Sequence, residues 1–98
     1  MSITYDASAG KGDKRINITV YDVDGSHSAN AHCSLSLFEN GDIVAGNSFF
    51  VGNGGNAGVF VPGTITTAMT TCNNSSGDTG TETVTLTKHT TKLHVQLA

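Results

Sequence analysis

The sequence lacks tryptophan and is poor in charged residues. An immunoglobulin domain needs a buried tryptophan packed on its cysteine pair, so the missing residue argues against that class of protein. Charged residues make up 13% of the chain, whereas an average domain has about 25%. The 5 basic residues are scattered and form no stripe that could follow a row of phosphates. We therefore expect no nucleic-acid partner.

Targeting signals are also missing. The N-terminus has neither the basic n-region nor the apolar h-region of a signal peptide, and no apolar run is long enough to cross a bilayer. We therefore expect a cytoplasmic protein without a membrane partner. A mature secreted protein with an added methionine would look the same, so that alternative stays open.

What the chain does contain is an alternation of apolar and polar residues in short runs. The apolar members are Ile16, Ile18 and Val20; Cys33, Leu35 and Leu37; Val84 and Leu86; and Leu93, Val95 and Leu97. A period of two places one set of side chains in a core and the other in water. No segment keeps a helical period, so the pattern predicts a small all-β protein.

Turn residues divide the chain into eight predicted strands within a single domain that spans residues 1–98. The strands are expected at 2–5, 15–23, 32–39, 42–51, 57–62, 64–72, 80–88 and 91–97. Short strands at this spacing predict an eight-stranded antiparallel β-sandwich.

Four dipeptides are predicted to form the turns between strands. Asn40-Gly41 is the strongest, because a type I′ hairpin turn needs positive φ at both central residues. Asn53-Gly54 is expected to form a second hairpin within a glycine-rich loop. Pro62-Gly63 fits the central positions of a type II turn that leads into a strand near Thr64. Thr90-Thr91 is expected to join the last two strands as a hairpin.

Two cysteines, Cys33 and Cys72, allow one disulfide. Because disulfides are rare in reducing compartments and no signal peptide is present, we expect two buried thiols instead. If the thiols are free, a reductant should leave the melting temperature unchanged.

Two stretches, Ile3–Gly12 and Phe49–Gly63, each have an aromatic residue followed by glycine further along, and the second ends in Phe-Val-Pro-Gly. They resemble the aromatic-to-glycine folded hairpin that opens each Greek key of a βγ-crystallin domain, and the Phe-Val-Pro-Gly ending is similar to the strand that follows this hairpin in microbial members. The resemblance implies two Greek keys of four strands each, which matches the strand count. It also implies a non-catalytic, highly soluble structural, storage or stress protein.

The βγ-crystallin family often binds calcium, and two loops of this chain cluster oxygen donors. The candidate ligands are Asn73, Asn74, Ser76 and Asp78 in one loop, and Asp22, Asp24 and Ser26 in the other. Neither loop follows the family pattern, and Asp-Gly is also an ordinary turn signal. Calcium takes about six to eight oxygens, so we expect binding that is absent or no tighter than about millimolar. No other cofactor is expected.

No catalytic pattern is present. The chain has no Gly-x-Ser-x-Gly elbow, and its two glutamates, Glu39 and Glu82, suggest no glycosidase pair. The histidines lack the spacing of a zinc site and are expected on the surface; they are His27, His32, His89 and His94. We therefore expect that the protein is not an enzyme.

A small carbohydrate-binding, lectin-like module is the alternative function, with a glycan or a second copy of the chain as the partner. Lectins bind sugars through polar loop residues, and the candidates here are Asn47, Asn53, Asn56, Asn73, Asn74 and Asp78. The chain has few aromatic residues to stack on a sugar ring. A third alternative is ice binding through a threonine ladder formed by Thr81, Thr83, Thr85 and Thr87.

Overall fold

Eight strands form, as the alternation predicts. The computed structural model describes residues 4–5, 14–52, 55–87 and 91–98. The strands are β1 (Thr4–Tyr5), β2 (Lys14–Tyr21), β3 (Ala31–Glu39), β4 (Asp42–Val51), β5 (Asn56–Val61), β6 (Thr67–Asn73), β7 (Thr79–Thr85) and β8 (Thr91–Gln96).

The strands form two packed sheets of four. Sheet 1 has the order β1-β5-β2-β8, and sheet 2 has the order β4-β3-β6-β7. All pairs are antiparallel except β2 with β8, which run parallel with Ile18 beside Leu93. The β-sandwich is thus confirmed, but the expectation of a wholly antiparallel one is wrong. Five strands lie between β2 and β8 in the chain, and this long connection lets the two strands run parallel.

The hairpin predicted at Asn40-Gly41 is confirmed. It joins β3 to β4, with Glu39 opposite Asp42. Its two central residues have φ angles of 52° and 92°, which is the positive-φ pair that a type I′ turn requires. Within the described residues, only β3–β4 and β6–β7 are consecutive strands that pair with each other, so two Greek keys are not established.

The glycine-rich stretch after β4 does not form the predicted hairpin. Its flanking strands, β4 and β5, belong to different sheets, while Asn53 and Gly54 themselves lie outside the described residues. The connection instead docks on sheet 1, where the carbonyl of Gly55 accepts a hydrogen bond from the backbone N–H of Val20 at 2.9 Å. The second stretch on which the crystallin resemblance rests is therefore a crossover between sheets. The first stretch, apart from Thr4 and Tyr5, lies outside the described residues.

The turn after β5 also differs from the prediction. The carbonyl of Pro62 accepts a hydrogen bond from Ile65 N–H at 3.1 Å, so Pro62 is the first residue of the turn rather than the second. Gly63 does not have the positive φ of a type II turn, and β6 begins at Thr67. The chain needs these extra residues because β5 and β6 lie in different sheets, and the buried Ile65 fills the core between them.

The last two strands do not pair as a hairpin, because β7 belongs to sheet 2 and β8 to sheet 1. They meet at the ends far from their connection, where Ala98 N–H donates to the carbonyl of Thr79 at 2.9 Å. This contact joins the two sheets along one corner. Thr90 lies outside the described residues.

The core lies between the two sheets and consists of the apolar members of the alternating runs. Its buried residues are Ile16, Ile18, Val20, Ala31, Cys33, Leu35, Leu37, Val51, Val59, Val61, Ile65, Ala68, Cys72, Leu86, Leu93, Val95 and Leu97. Because side chains alternate along a strand, the residues on either side of each inward side chain point outward. The polar faces of both sheets therefore follow directly from core packing.

The expectation of two free thiols is wrong in this structure. Cys33 of β3 and Cys72 of β6 lie directly opposite each other, with Cα atoms 4.1 Å apart, and they form a disulfide. Antiparallel pairs that are not hydrogen-bonded have Cα atoms about 4.5 Å apart, which brings side chains closest. The pairing of two non-consecutive strands thus creates the bond, and their 39-residue separation hides it in the sequence.

Replacing Gly41 with valine should lower the free energy of unfolding by about 1–3 kcal/mol, because a β-branched residue is strained at positive φ. An added Cβ at Gly41 meets nothing within 4 Å, so the cost is conformational rather than steric. Urea unfolding measures it. Gly52→Val is the matched control, since Gly52 is equally open but lacks positive φ. Equal stability of the two variants would contradict the turn assignment.

A reductant should destabilise the protein. A disulfide of this kind contributes about 2–4 kcal/mol, chiefly by restricting the unfolded chain. We expect the melting temperature to fall in dithiothreitol and the Cys33→Ala/Cys72→Ala double variant to be insensitive to it. An unchanged melting temperature of the wild-type protein, with thiols that react with a thiol reagent after unfolding, would restore the free-thiol interpretation.

Candidate functional site

A polar groove crosses the outer face of sheet 1. The strand register places Gly58 and Lys92 on either side of Asn17, and Asn56 and His94 on either side of Thr19. The resulting cavity, which we call the sheet 1 groove, has a volume of about 480 Å³. Its lining residues are Arg15, Asn17, Thr19, Asn56, Ala57, Gly58, Lys92 and His94.

The groove exists because one position on this face has no side chain. Gly58 lies in β5 beside Asn17, and its neighbours on the same face of that strand are Asn56 and Phe60. The missing side chain at Gly58 leaves a depression between these larger residues. The backbone there is buried, so the floor of the groove is rigid sheet rather than loop.

Hydrogen bonds within the groove orient its amides. Thr19 Oγ1 donates to Asn56 Oδ1 at 2.8 Å, and Arg15 Nε donates to Asn17 Oδ1 at 3.1 Å. Each bond links a hydroxyl or guanidinium to an amide on the same exposed surface. The polar groups are therefore held in place before any ligand arrives, which lowers the entropic cost of binding.

At each end of the groove, an aromatic ring packs against a histidine or arginine side chain. At one end, the Tyr21 hydroxyl forms a 3.1 Å hydrogen bond with His94 Nδ1, and the two rings stack with centroids 5.7 Å apart. At the other end, the guanidinium of Arg15 lies 5.4 Å from the centre of the Phe60 ring, within the range of a cation–π contact.

The groove is positively charged although the whole chain has a net charge of −3. Arg15 and Lys92 line it, and the remaining basic residue in the described ranges, Lys14, donates from Nζ to the carbonyl of Ile65 at 2.9 Å. Within the part of the chain that the structure describes, no acidic side chain lines the groove. The acidic residues of the described ranges are Asp22, Asp24, Glu39, Asp42, Asp78 and Glu82. These side chains can bind a ligand that carries an anionic group next to hydroxyl groups.

The two loops predicted to bind calcium meet in space. Asn74 Nδ2 donates to Asp22 Oδ1 at 3.2 Å and to Asp78 Oδ2 at 3.0 Å. Its own Oδ1 accepts from the backbone N–H groups of Ser76 and Asp78 at 3.1 and 3.0 Å. The amide group of Asn74 therefore lies between the two carboxylates and donates a hydrogen bond to each of them.

The other predicted ligands are directed elsewhere. Asp24 Oδ1 accepts from the Ser26 hydroxyl at 2.6 Å and from the Ser26 backbone N–H at 2.9 Å. These bonds to Ser26, the hydroxyl bond first, lower the pKa of Asp24 below its usual range. Asn73 lies beside His32 on the outer face of sheet 2. In the described ranges, no three acidic, histidine or cysteine residues come close enough to hold a metal.

Of the loop residues proposed for sugar binding, only Asn56 lies in the groove. Asn73, Asn74 and Asp78 lie at or beyond the end of β6, while Asn53 and the Asn47 side chain lie outside the described residues. Sequence reasoning missed Arg15, Asn17, Lys92 and His94 because it searched loops for ligands. The available signal was the polar half of the alternation in two runs, at 15–21 and 92–96.

The predicted threonine ladder lies on the opposite side of the molecule. Thr81, Thr83 and Thr85 are exposed on the outer face of sheet 2, and Thr71 Oγ1 is hydrogen-bonded to Thr81 Oγ1 at 3.0 Å. Thr67 lies beside Thr85 in the same register. The hydroxyl surface is thus wider than one strand, and ice binding stays a prediction.

The histidines are dispersed over the surface rather than gathered at one site. His27 contacts the edge of Tyr21, with ring centroids 5.2 Å apart, and His32 packs on Phe50 at 4.8 Å. His94 lines the groove, whereas His89 lies outside the described residues.

No known protein family, curated protein or solved structure matches the chain. The crystallin resemblance therefore stays a prediction. Within the residues that the structure describes, no helix has the length and apolar character needed to cross a bilayer.

Calcium should bind no more tightly than about millimolar, because two of its candidate ligands already share the N–H donors of Asn74. Isothermal titration of calcium-stripped protein, with a melting curve at each calcium concentration, tests this. A micromolar dissociation constant accompanied by a rise in melting temperature would show that the Asp22 and Asn74 loops rearrange to form a metal site.

Proposed function

We propose that the chain is a non-catalytic carbohydrate-binding domain, and that the sheet 1 groove binds an acidic saccharide. The observation that carries the proposal is the separation of charge. Among the described residues, the groove is lined by Arg15 and Lys92 and by no acidic side chain, on a chain whose net charge is −3. Such a surface attracts anions, whereas a neutral or cationic ligand gains no electrostatic attraction from it.

The chemistry of the groove suits a sugar acid better than a bare anion. A guanidinium binds a carboxylate or sulfate through two parallel hydrogen bonds, and a lysine adds a point charge. The amides and the hydroxyl between them both donate and accept, which is what the hydroxyl groups of a saccharide require. Asn17 and Thr19 place these groups along the outer face of β2, and Asn56 of β5 lies beside Thr19.

Charge and hydrogen bonding replace aromatic stacking in this proposal. Arg15 already lies over the Phe60 ring, and His94 already stacks on Tyr21. The aromatic rings therefore position the binding groups instead of serving as platforms for sugar rings. This is consistent with a chain that has 6% aromatic residues and no tryptophan.

The disulfide is relevant to the cellular compartment in which such a domain would act. Disulfides persist in oxidising compartments and are rare in the cytosol, so the Cys33–Cys72 bond favours an extracytosolic location over the cytoplasmic one predicted from the N-terminus. Extracellular polysaccharides are a common source of acidic sugars. The crystallin-like structural role has no support in the described residues beyond the β-sandwich itself.

Isothermal titration with sodium polygalacturonate should show binding that weakens with salt, while neutral dextran should not bind. Heparin separates sulfate from carboxylate preference, and single-stranded DNA tests phosphate. We expect Lys92→Gln and Arg15→Gln each to weaken binding by about tenfold or more, because a hydrogen bond to a charged group is worth about 1.5–3 kcal/mol and each 1.4 kcal/mol is about tenfold.

Thr83→Asp is the matched control. It lowers the net charge by one, as Lys92→Gln does, but Thr83 is exposed on the outer face of sheet 2. Its affinity should stay close to that of the wild-type protein. An equal loss of affinity in this variant would show that the effect of Lys92→Gln comes only from the change in net charge. Equal binding of dextran, tighter binding of DNA, or no binding of any saccharide would each overturn the proposal.

A further inference from the structure

The four edges of the two sheets are not equally protected. Within the described residues, the edge strand β1 consists of Thr4 and Tyr5. The edges at β7 and β8 close on each other through the hydrogen bonds between Thr79 and Ala98. They approach so closely that a Cβ added to Gly80 would lie 2.5 Å from the carbonyl oxygen of Gln96. The strand β4 has ten residues and, among the described residues, pairs only with β3.

Exposed apolar side chains are concentrated on this same strand. Ile43 is 64% exposed, Val44 is 37% exposed and Phe50 is 76% exposed; Val23 is the fourth large apolar side chain exposed in the described ranges. Natural edge strands are usually short or carry lysine, proline or inward-pointing charges that prevent pairing. The sequence of β4, from Asp42 to Val51, has no lysine or proline and only one charged residue, at its start.

We propose that β4 pairs with β4 of a second copy of this chain and forms a homodimer with a continuous eight-stranded sheet. The apolar residues are arranged for such a symmetric contact. Residue 47 is the midpoint between Val44 and Phe50, so a two-fold axis at this residue places Phe50 of each copy opposite Val44 of the other. A two-fold interface must be self-complementary in this way.

The bulge in the β3–β4 pair adds Ile43 to the face that carries Phe50. The register shifts between Leu37 and Phe38, so that Phe38 lies beside Ile43, while His32 lies beside Phe50. Ile43 and Phe50 therefore share the outer face of sheet 2, although they are an odd number of positions apart in the sequence. Without the bulge, one of the two would point to the opposite face.

Charge does not oppose the contact. In the same symmetric register, Asp42 lies five residues from the midpoint, opposite Gly52 of the second copy. Like charges directly opposite each other in a sheet are destabilising, and this register contains no such pair between the described strands. In each copy, the sheet 1 groove with its Arg15 and Lys92 lies on the other sheet, away from the β4 edge.

A single pair of edge strands is small compared with a standard interface, which buries about 1,200–2,000 Å². The dimer is therefore reversible and forms as concentration rises. The two-fold axis is perpendicular to the shared sheet, so both copies present sheet 1 on the same side. If the proposed saccharide binding holds, one dimer can engage two sites on one polymer and bind it more tightly than a short oligosaccharide.

Sedimentation equilibrium without any saccharide tests the dimer independently of the proposed function. We expect the weight-average mass to rise from one chain toward two between about 10 μM and 1 mM, the range expected of a weak interface. Phe50→Ser and Ile43→Lys should each shift the midpoint at least tenfold to higher concentration. Val23→Ser, which removes the exposed apolar side chain outside the edge, should leave the midpoint unchanged.

Hydrogen exchange locates the contact. Amides of β4 should gain protection as concentration rises, while those of β7 should not. Thermal unfolding of each variant confirms that it is folded before its mass is interpreted. A wild-type protein that stays monomeric at about 1 mM, a dimer unaffected by both Phe50→Ser and Ile43→Lys, or an equal effect of Val23→Ser would overturn the proposal. A mass beyond two chains would indicate open-ended association instead.

Discussion

The contact between the apolar faces of the two sheets is the constraint on which the rest of this structure depends. Ile16, Ile18 and Val20 face the core from β2, and Leu93 and Val95 face it from the parallel strand β8. Because side chains alternate along a strand, burying these residues directs their neighbours into solvent. A shift of one residue in either strand would expose the core set and bury charges. The register, and with it the composition of both outer faces, is therefore fixed by hydrophobic packing.

The sheet 1 groove is the outer counterpart of that packing. Arg15, Asn17 and Thr19 alternate with the buried residues of β2, and Lys92 and His94 alternate with those of β8. None of them is brought into the groove by a loop. A binding surface built on paired strands keeps its polar groups in place, because any movement would break sheet hydrogen bonds and disturb the core. In the proposed saccharide binding, the specificity would then depend on charge and on the depression at Gly58.

Among the described residues, sheet 2 differs from sheet 1 in having a disulfide between its central strands and exposed apolar side chains on its edge strand β4. Cys33 and Cys72 tie its two central strands together within the core, which compensates for a small apolar content in a chain of 98 residues. The edge at β4 has no such constraint. Its exposed Ile43 and Phe50 lie on one face because of a bulge, and this shared face is what the proposed dimer would use.

Local patterns in the sequence determined the strands, their inward faces and the hairpin at Asn40-Gly41, because alternation and turn chemistry act over a few residues. Which strands become neighbours was decided only by the tertiary structure. The parallel pairing of β2 with β8 assembles Asn17 and Lys92 into one groove. The pairing of β3 with β6 places Cys33 against Cys72, and loop convergence brings Asn74 between Asp22 and Asp78. Such contacts join residues far apart in the chain and depend on how all eight strands share one core, which no local pattern encodes.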